Sequence, residues 1–163
     1  MVPVEEYLNT DYSPDCDYVD GVLEDRNVGL RKHAITQTRI AGFLLQVLQA
    51  LGALVVVAQR IRVSPTRYRV PDVSVVLNED PDEEVITTAP FLCVEVVSPD
   101  DRMSNFLEKV SDYLRMGARY VWVVDPYLRT AWTHTSKGSF EAKDGVLRTK
   151  NPDIEMPLAQ VLP

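Results

Sequence analysis

The hydrophobic positions of the chain change period several times, and each change marks an element. From residue 33 to 51 the spacing is helical: Ala41, Leu44, Leu45, Leu48 and Leu51 recur three or four residues apart and predict one apolar stripe. Gly52 follows, well placed to end that helix in a left-handed cap. Residues 54–63 are β-branched and strand-like, Ser64-Pro65-Thr66 supplies a turn, and residues 68–77 predict a second strand. Residues 91–97 form an apolar run of strand length, the pattern of a strand covered on both faces. Ser98-Pro99-Asp100-Asp101 breaks the run and offers several helix N-caps. A second helical pattern places Met103, Phe106, Leu107, Val110 and Leu114 on one side and stops at Gly117. Residues 120–124 make another apolar strand, ended by Asp125-Pro126.

Weaker signals fill the remainder. Residues 3–12 predict a short helical turn, and Asp11 to Pro14 a loop. Around Asp20-Gly21, residues 18–23 read as a tight hairpin. Residues 78–90 form an acidic loop carrying Asp80, Asp82, Glu83 and Glu84, and strands are expected at 130–134 and 139–142. This order predicts an α/β fold, more specifically α+β, with one mixed sheet and helices packed on it. The passage from 91–97 through a helix to 120–124 predicts a right-handed parallel crossover. With no internal repeat or Gly/Ser linker, residues 1–163 read as one domain.

Composition narrows the function classes. At 45% hydrophobic and 25% charged the chain is an ordinary globular sequence, not a disordered one. No apolar stretch is long enough to cross a bilayer and no secretory signal precedes the first element, so the expected compartment is the cytoplasm. Cys16 and Cys93 form no metal or disulfide pattern, and Cys93 reads as a small buried thiol. A net charge of −7 gives no general attraction to nucleic acid, so any such binding must come from a local basic surface or bound metal.

Three residues carry the candidate chemistry. Glu95 lies inside Phe-Leu-Cys-Val-Glu-Val-Val, where an uncompensated carboxylate would cost several kcal/mol. A structural ion pair and a functional site explain it equally well. Asp72 follows Pro71 within a strand pattern, and a proline there marks a strand edge, start or bulge that can aim the next side chain. The plain alternative is a solvated Pro-Asp turn. Lys109 sits on the shoulder of the second helical stripe, between Phe106 and Tyr113 at helical spacing; it either reaches over the sheet end or pairs with Glu108 or Asp112 on the surface. Two carboxylates and a lysine suit Mg²⁺ or Mn²⁺, which prefer hard oxygen ligands.

The series Tyr18-Val19-Asp20-Gly21, His33, Pro71-Asp72, Glu95-Val96-Val97-Ser98-Pro99, Lys109, Tyr113, Gly117 and Tyr120 to Pro126 resembles the Uma-two family. Its members are restriction-endonuclease-like proteins of the PD-(D/E)xK nuclease superfamily. The resemblance implies a restriction-endonuclease-like core and a Mg²⁺-dependent (or Mn²⁺-dependent) phosphodiesterase centre, with Asp72 and Glu95 as metal ligands. The superfamily lysine, usually two residues after the glutamate, is replaced here by Val97, and Lys109 matches the position displaced to the following helix. Asn105 stands where many relatives have an aspartate.

His33, near the start of the long helix, is a further candidate for contacting a water or phosphate, with capping or packing as its ordinary alternative; Gln37 is a weaker one. Arg60, Arg62, Arg67 and Arg69 flank the 64–66 turn and form either a basic patch near Asp72 or a charged edge hairpin. Trp132 and His134 read as ordinary strand residues. The leading expectation is an endonuclease acting on DNA, with a homodimer, as in many nuclease relatives, as the candidate assembly. The alternative is a catalytically idle nuclease-like domain that binds nucleic acid or protein. A carboxylate-pair glycosidase accounts for Asp72 and Glu95 but leaves Lys109 without a role.

Overall fold

The computed structural model describes residues 1–26, 29–77 and 83–163, so Asp80 and Asp82 of the expected acidic loop lie outside the described residues. A short helix α1 (Val4–Leu8) leads into the hairpin β1 (Cys16–Val19) and β2 (Val22–Asp25). Asp20 and Gly21 both take positive φ, 49° and 91°, which lets the hairpin close in two residues. Helix α2 (Arg31–Leu48) continues as one 3-10 turn and ends at Gly52, in the left-handed region at φ 63° as predicted.

The two long strands expected next are four: β3 (Leu54–Val57), β4 (Ile61–Ser64), β5 (Arg67–Arg69) and β6 (Val73–Val76). Each expected strand divides because its halves join different sheets. Ala58, at φ 51°, turns the chain out of one ladder, and Pro71, which has no N–H to donate, ends the other. β1, β2, β4 and β5 form a four-stranded antiparallel sheet in the order β2-β1-β5-β4.

The second sheet has six strands. β7 (Leu92–Val96), helix α3 (Met103–Met116), β8 (Tyr120–Asp125), β9 (Thr130–Thr135) and β10 (Gly138–Glu141) complete it in the order β10-β9-β8-β7-β6-β3. It is mixed, as expected: β7 and β8 run parallel, joined through α3, while the other pairs are antiparallel. A last hairpin, β11 (Val146–Thr149) with β12 (Ile154–Pro157), and the short α4 (Leu158–Val161) were not foreseen.

Period-two alternation in β7 sorts its side chains between two cores. Leu92, Val94 and Val96 pack with Ile40, Leu44 and Leu48 of α2 and with Leu147, Ile154 and Met156 of the last hairpin. Cys93 points the other way and packs with Val110 and Tyr113 of α3. Glu95, two residues on, shares the α3 side. The expected stripes were partly misplaced. Leu45 and Leu51 are 53% and 58% exposed, because Ile40, Ala41, Leu44 and Leu48 make the buried seam and the 3-10 turn rotates Leu51 off it. On α3, Met103 and Leu107 are exposed and Tyr113 is buried instead. The N-cap of α3 is Arg102, and the Asp101 carboxylate accepts the Ser98 N–H at 2.7 Å.

Where the two sheets and α3 meet, Arg69 is 1% exposed and binds Asp17, Glu24 and Asp112. Removing a cation from such a group strands buried carboxylates. We expect Arg69→Ala to cost about 3–5 kcal/mol in urea unfolding, similar to the roughly 3–5 kcal/mol for emptying the fully buried Trp122 site with Trp122→Ala. An Arg69→Ala midpoint equal to wild type would show that the ion network holds nothing together.

Candidate active site

Register brings the two predicted carboxylates together. β6 pairs with β7 through Val73↔Val94, so one step further along the antiparallel ladder sets Asp72 opposite Glu95. Asp72 lies just before β6 begins, after the proline that ends the previous ladder. Its side chain takes over the missing strand contact: Oδ2 accepts the Val96 N–H at 2.7 Å. The same oxygen lies 3.2 Å from His33 Nε2, and Oδ1 accepts from Arg26 at 3.1 Å. Gln37 donates to the Asp72 carbonyl at 2.9 Å, so α2 holds both ends of this residue. Asp72 is 4% exposed. Burial alone would raise its pKa, but His33, the Val96 N–H and Arg26 outweigh it and hold the carboxyl below its ordinary range.

Glu95 is 3% exposed, and the Tyr113 hydroxyl of α3 donates to its Oε1 at 2.6 Å. Burial pushes its pKa up to about 7; Lys109 opposes the rise, while the Asp72 and Asp17 carboxylates add to it. Lys109 descends from α3 onto the same end of the sheet. Its Nζ stands 3.3 Å from Asp17 Oδ2, not beside Glu108 or Asp112, which serve Arg67 and Arg69 instead. Burial alone would lower the ammonium's pKa, but Glu95 and Asp17 more than offset this and raise it. The lysine is a cation at every physiological pH.

The predicted residues Asp72, Glu95, Lys109 and His33 are therefore gathered at one end of β6, β7 and α3. Three partners were missed. Asp17 carried the same signal as Glu95, an ionisable residue within a strand buried at every position. Tyr113 was noted only as a helical neighbour of Lys109 and a position of the family series, and neither it nor Arg26 announces a long-range partner in the sequence. Of the two readings of the arginines, the basic patch near Asp72 does not form, whereas β4 is an edge strand that pairs with β5 in a charged hairpin. Arg60 binds Asp15 and the Tyr7 carbonyl, Arg67 binds Asp20, and Arg69 is interior; Arg62 is exposed. Carboxylates of neighbouring elements absorb the guanidinium groups of Arg60, Arg67 and Arg69.

A cleft of about 340 Å³ opens beside Lys109, lined by Asp17, Asp25, Asp100 and Asn105 among others. Asn105 thus does face the lysine's cleft. A second cleft shares Asp25 and Asp100 with it, and a third, lined by His33 and Asp72, shares Pro14 and Arg26 with the second. Among the described residues no three His, Cys, Asp or Glu side chains cluster as a preformed metal cage.

The profile of the Uma2 family, described as "Putative restriction endonuclease", matches residues 4–161. The chain belongs to this family. No curated protein matches it. A solved structure from Anabaena variabilis, described as "a putative nuclease belonging to DUF820", aligns with a TM-score of 0.84 and 17% identity. It covers 99% of this chain and 97% of that one, so the Uma2 fold is shared over essentially the full length. Among the described residues, no helix of this Uma2 protein is long and apolar enough to cross a membrane.

One contact in the site is tight enough to test directly. A Cβ at Gly29 would lie 3.1 Å from His33 Nδ1, a buried nitrogen without a hydrogen-bond partner among the described residues. Gly29→Ala should displace the imidazole and disturb its Nε2 contact with Asp72, at a cost of no more than about 1.5–3 kcal/mol, the range for a hydrogen bond to a charged group. Long-range proton–nitrogen NMR of His33 reads the change; an unaltered Nε2 signal would show that the ring is not confined by this contact.

Proposed function

We propose that this Uma2 protein is a divalent-metal-dependent endonuclease that hydrolyses DNA phosphodiester bonds, with Asp72 and Glu95 as the metal ligands. The observation that carries this reading is the β6–β7 register, which sets the two buried carboxylates side by side with Lys109 above them. The donor set fits Mg²⁺ or Mn²⁺, which need only one or two carboxylates and fill the remaining positions with water. The electrostatics fit as well. Glu95 is desolvated among carboxylates and short of positive charge, and the Arg26 guanidinium 3.1 Å from Asp72 Oδ1 already stands where a cation is favoured. When bound, such an ion supplies an activated water and a counter-charge for phosphoryl oxygen.

The chain's own groups then divide the remaining work. Lys109, cationic and steered by a salt bridge, stabilises negative charge that develops on the phosphate. His33 Nε2 is committed to Asp72, so it orients that carboxylate and makes no direct contact with the scissile group. Tyr113 does the same for Glu95. A catalytically idle nuclease-like domain is the second reading, favoured by the Arg26–Asp72 pair, which neutralises Asp72 without a metal.

Calorimetric Mg²⁺ and Mn²⁺ titrations of wild type and Glu95→Ala, followed by plasmid nicking, decide between them. Saturable metal binding lost in Glu95→Ala, with nicking reduced by roughly 10²–10³-fold, supports the endonuclease. No binding at millimolar metal, with or without DNA, leaves the idle domain.

A further inference from the structure

Asp17 is the least exposed carboxylate near the cleft, at 1%, and every oxygen it owns is engaged. Its Oδ1 accepts the Val70 N–H at 2.8 Å, which ties β1 to the segment that carries Asp72. Its Oδ2 lies 3.2 Å from Arg69 and 3.3 Å from Lys109 Nζ. Arg69 has Glu24 and Asp112 as further partners, whereas Asp17 is the carboxylate in salt-bridge contact with Lys109. Neutralising Arg69 alone would not require Asp17 to reach a helix on the far wall of the cleft.

We infer that Asp17 is a positioning residue: it holds the Lys109 ammonium at the catalytic end of the sheet and keeps it off the carboxylates of Asp72 and Glu95. The inference rests on the endonuclease reading. A long lysine stem has several rotatable bonds, and without a fixed anion its ammonium would pair directly with Glu95, competing with a metal for that carboxylate. With Asp17 rigidly held by the Val70 N–H and Arg69, the lysine is parked within reach of the phosphate and the metal ligands stay available. Asp17 contributes to catalysis through Lys109 and is not itself a metal ligand.

The test uses full-length wild type, Asp17→Asn, Lys109→Met and the double variant. Two readouts are taken: single-turnover plasmid nicking in Mg²⁺, and the Lys109 ammonium resonance in proton–nitrogen NMR, whose protection from exchange reports the salt bridge without any reaction. We expect Asp17→Asn to lose the protected resonance and to slow nicking at least tenfold, with DNA binding unchanged within twofold. Mg²⁺ affinity, measured by calorimetry, should fall in Asp17→Asn, because the released ammonium competes for Glu95, and should recover in the double variant, which has no ammonium at position 109. The double variant should be no slower than Lys109→Met. Should Asp17→Asn fail to fold, Asp17→Glu, which keeps the charge but moves it by one methylene, carries the same expectations. A loss of Mg²⁺ affinity in Asp17→Asn that persists in the double variant would make Asp17 a ligand and overturn the inference. So would nicking at the wild-type rate, or losses that multiply in the double variant. A wild type that neither binds Mg²⁺ nor nicks DNA overturns the endonuclease reading itself, and with it the catalytic sense of Asp17.

Discussion

The structure depends on one crossing. At Val70, Pro71 and Asp72 the chain leaves a four-stranded sheet and enters a six-stranded one, and every predicted site residue is placed relative to that step. Proline ends the first ladder because it cannot donate, and Asp72 repairs the start of the second by accepting the Val96 N–H with its side chain. A crossing between sheets is ordinarily a weak point, since backbone groups there lack strand partners. Here it is fastened by buried ionic contacts. Asp17 takes the Val70 N–H, Arg69 reaches back to Asp17 and across to Asp112 of α3, and Gln37 of α2 takes the Asp72 carbonyl. The contacts that make the fold possible at this point also bring Asp72, Glu95 and Lys109 within one another's field.

That arrangement sets the electrostatic character of the site. Buried ion networks rarely add net stability over apolar packing, but breaking one member is expensive. Arg69 illustrates the point: its guanidinium, buried with carboxylates on both sides, is a structural cation that the site cannot spend on substrate. Lys109 differs because its stem packs on α3 while its ammonium borders an open cleft. Around it the cleft is rimmed by aspartates, and the chain as a whole carries −7. A phosphodiester entering such a trough meets few free cations. Under the endonuclease reading, the divalent ion held by Asp72 and Glu95 supplies most of the local positive charge, with Lys109 beside it.

Much of this was legible in the sequence, and the divisions are instructive. Elements with strong periodicity or hard punctuation came through: the Asp20-Gly21 hairpin, the left-handed end at Gly52, the doubly covered strand around Glu95 and the parallel passage to residues 120–124. What failed were decisions that depend on which sheet a segment joins. Residues 54–63 and 68–77 have continuous strand propensity, and no local signal at Ala58 or Val70 reveals that their halves diverge. Pro71 hinted at a break, and that hint pointed to the right residue. Of the site, Asp72, Glu95 and Lys109 were found because each breaks a local pattern or matches a family position. Arg26 and the roles of Asp17 and Tyr113 were not, since a salt bridge or hydrogen bond spanning tens of residues leaves no trace in spacing. For the four arginines the sequence left patch and edge hairpin equally open, because only their acidic partners decide between the two.

Under the endonuclease reading, the position of Lys109 has a geometric explanation in the same terms. Residues two apart on a strand share a face, so a lysine at position 97 would stand on the α3 side of the sheet, next to Glu95. In this chain position 97 is Val97, whose N–H continues the ladder to the Val124 carbonyl at 2.8 Å and whose side chain helps line an apolar cleft with Phe106 and Trp132. Lys109 comes to that same face from the opposite wall, since α3 is the helix that covers it. The ammonium therefore reaches the carboxylate pair from above, not from the strand. A strand lysine is fixed by the ladder on which it sits. A helix lysine at the rim of a cleft has no such constraint, and something else must hold it in place. In this structure that something is Asp17, itself pinned at the crossing, so the change of position and the extra buried carboxylate belong to one solution.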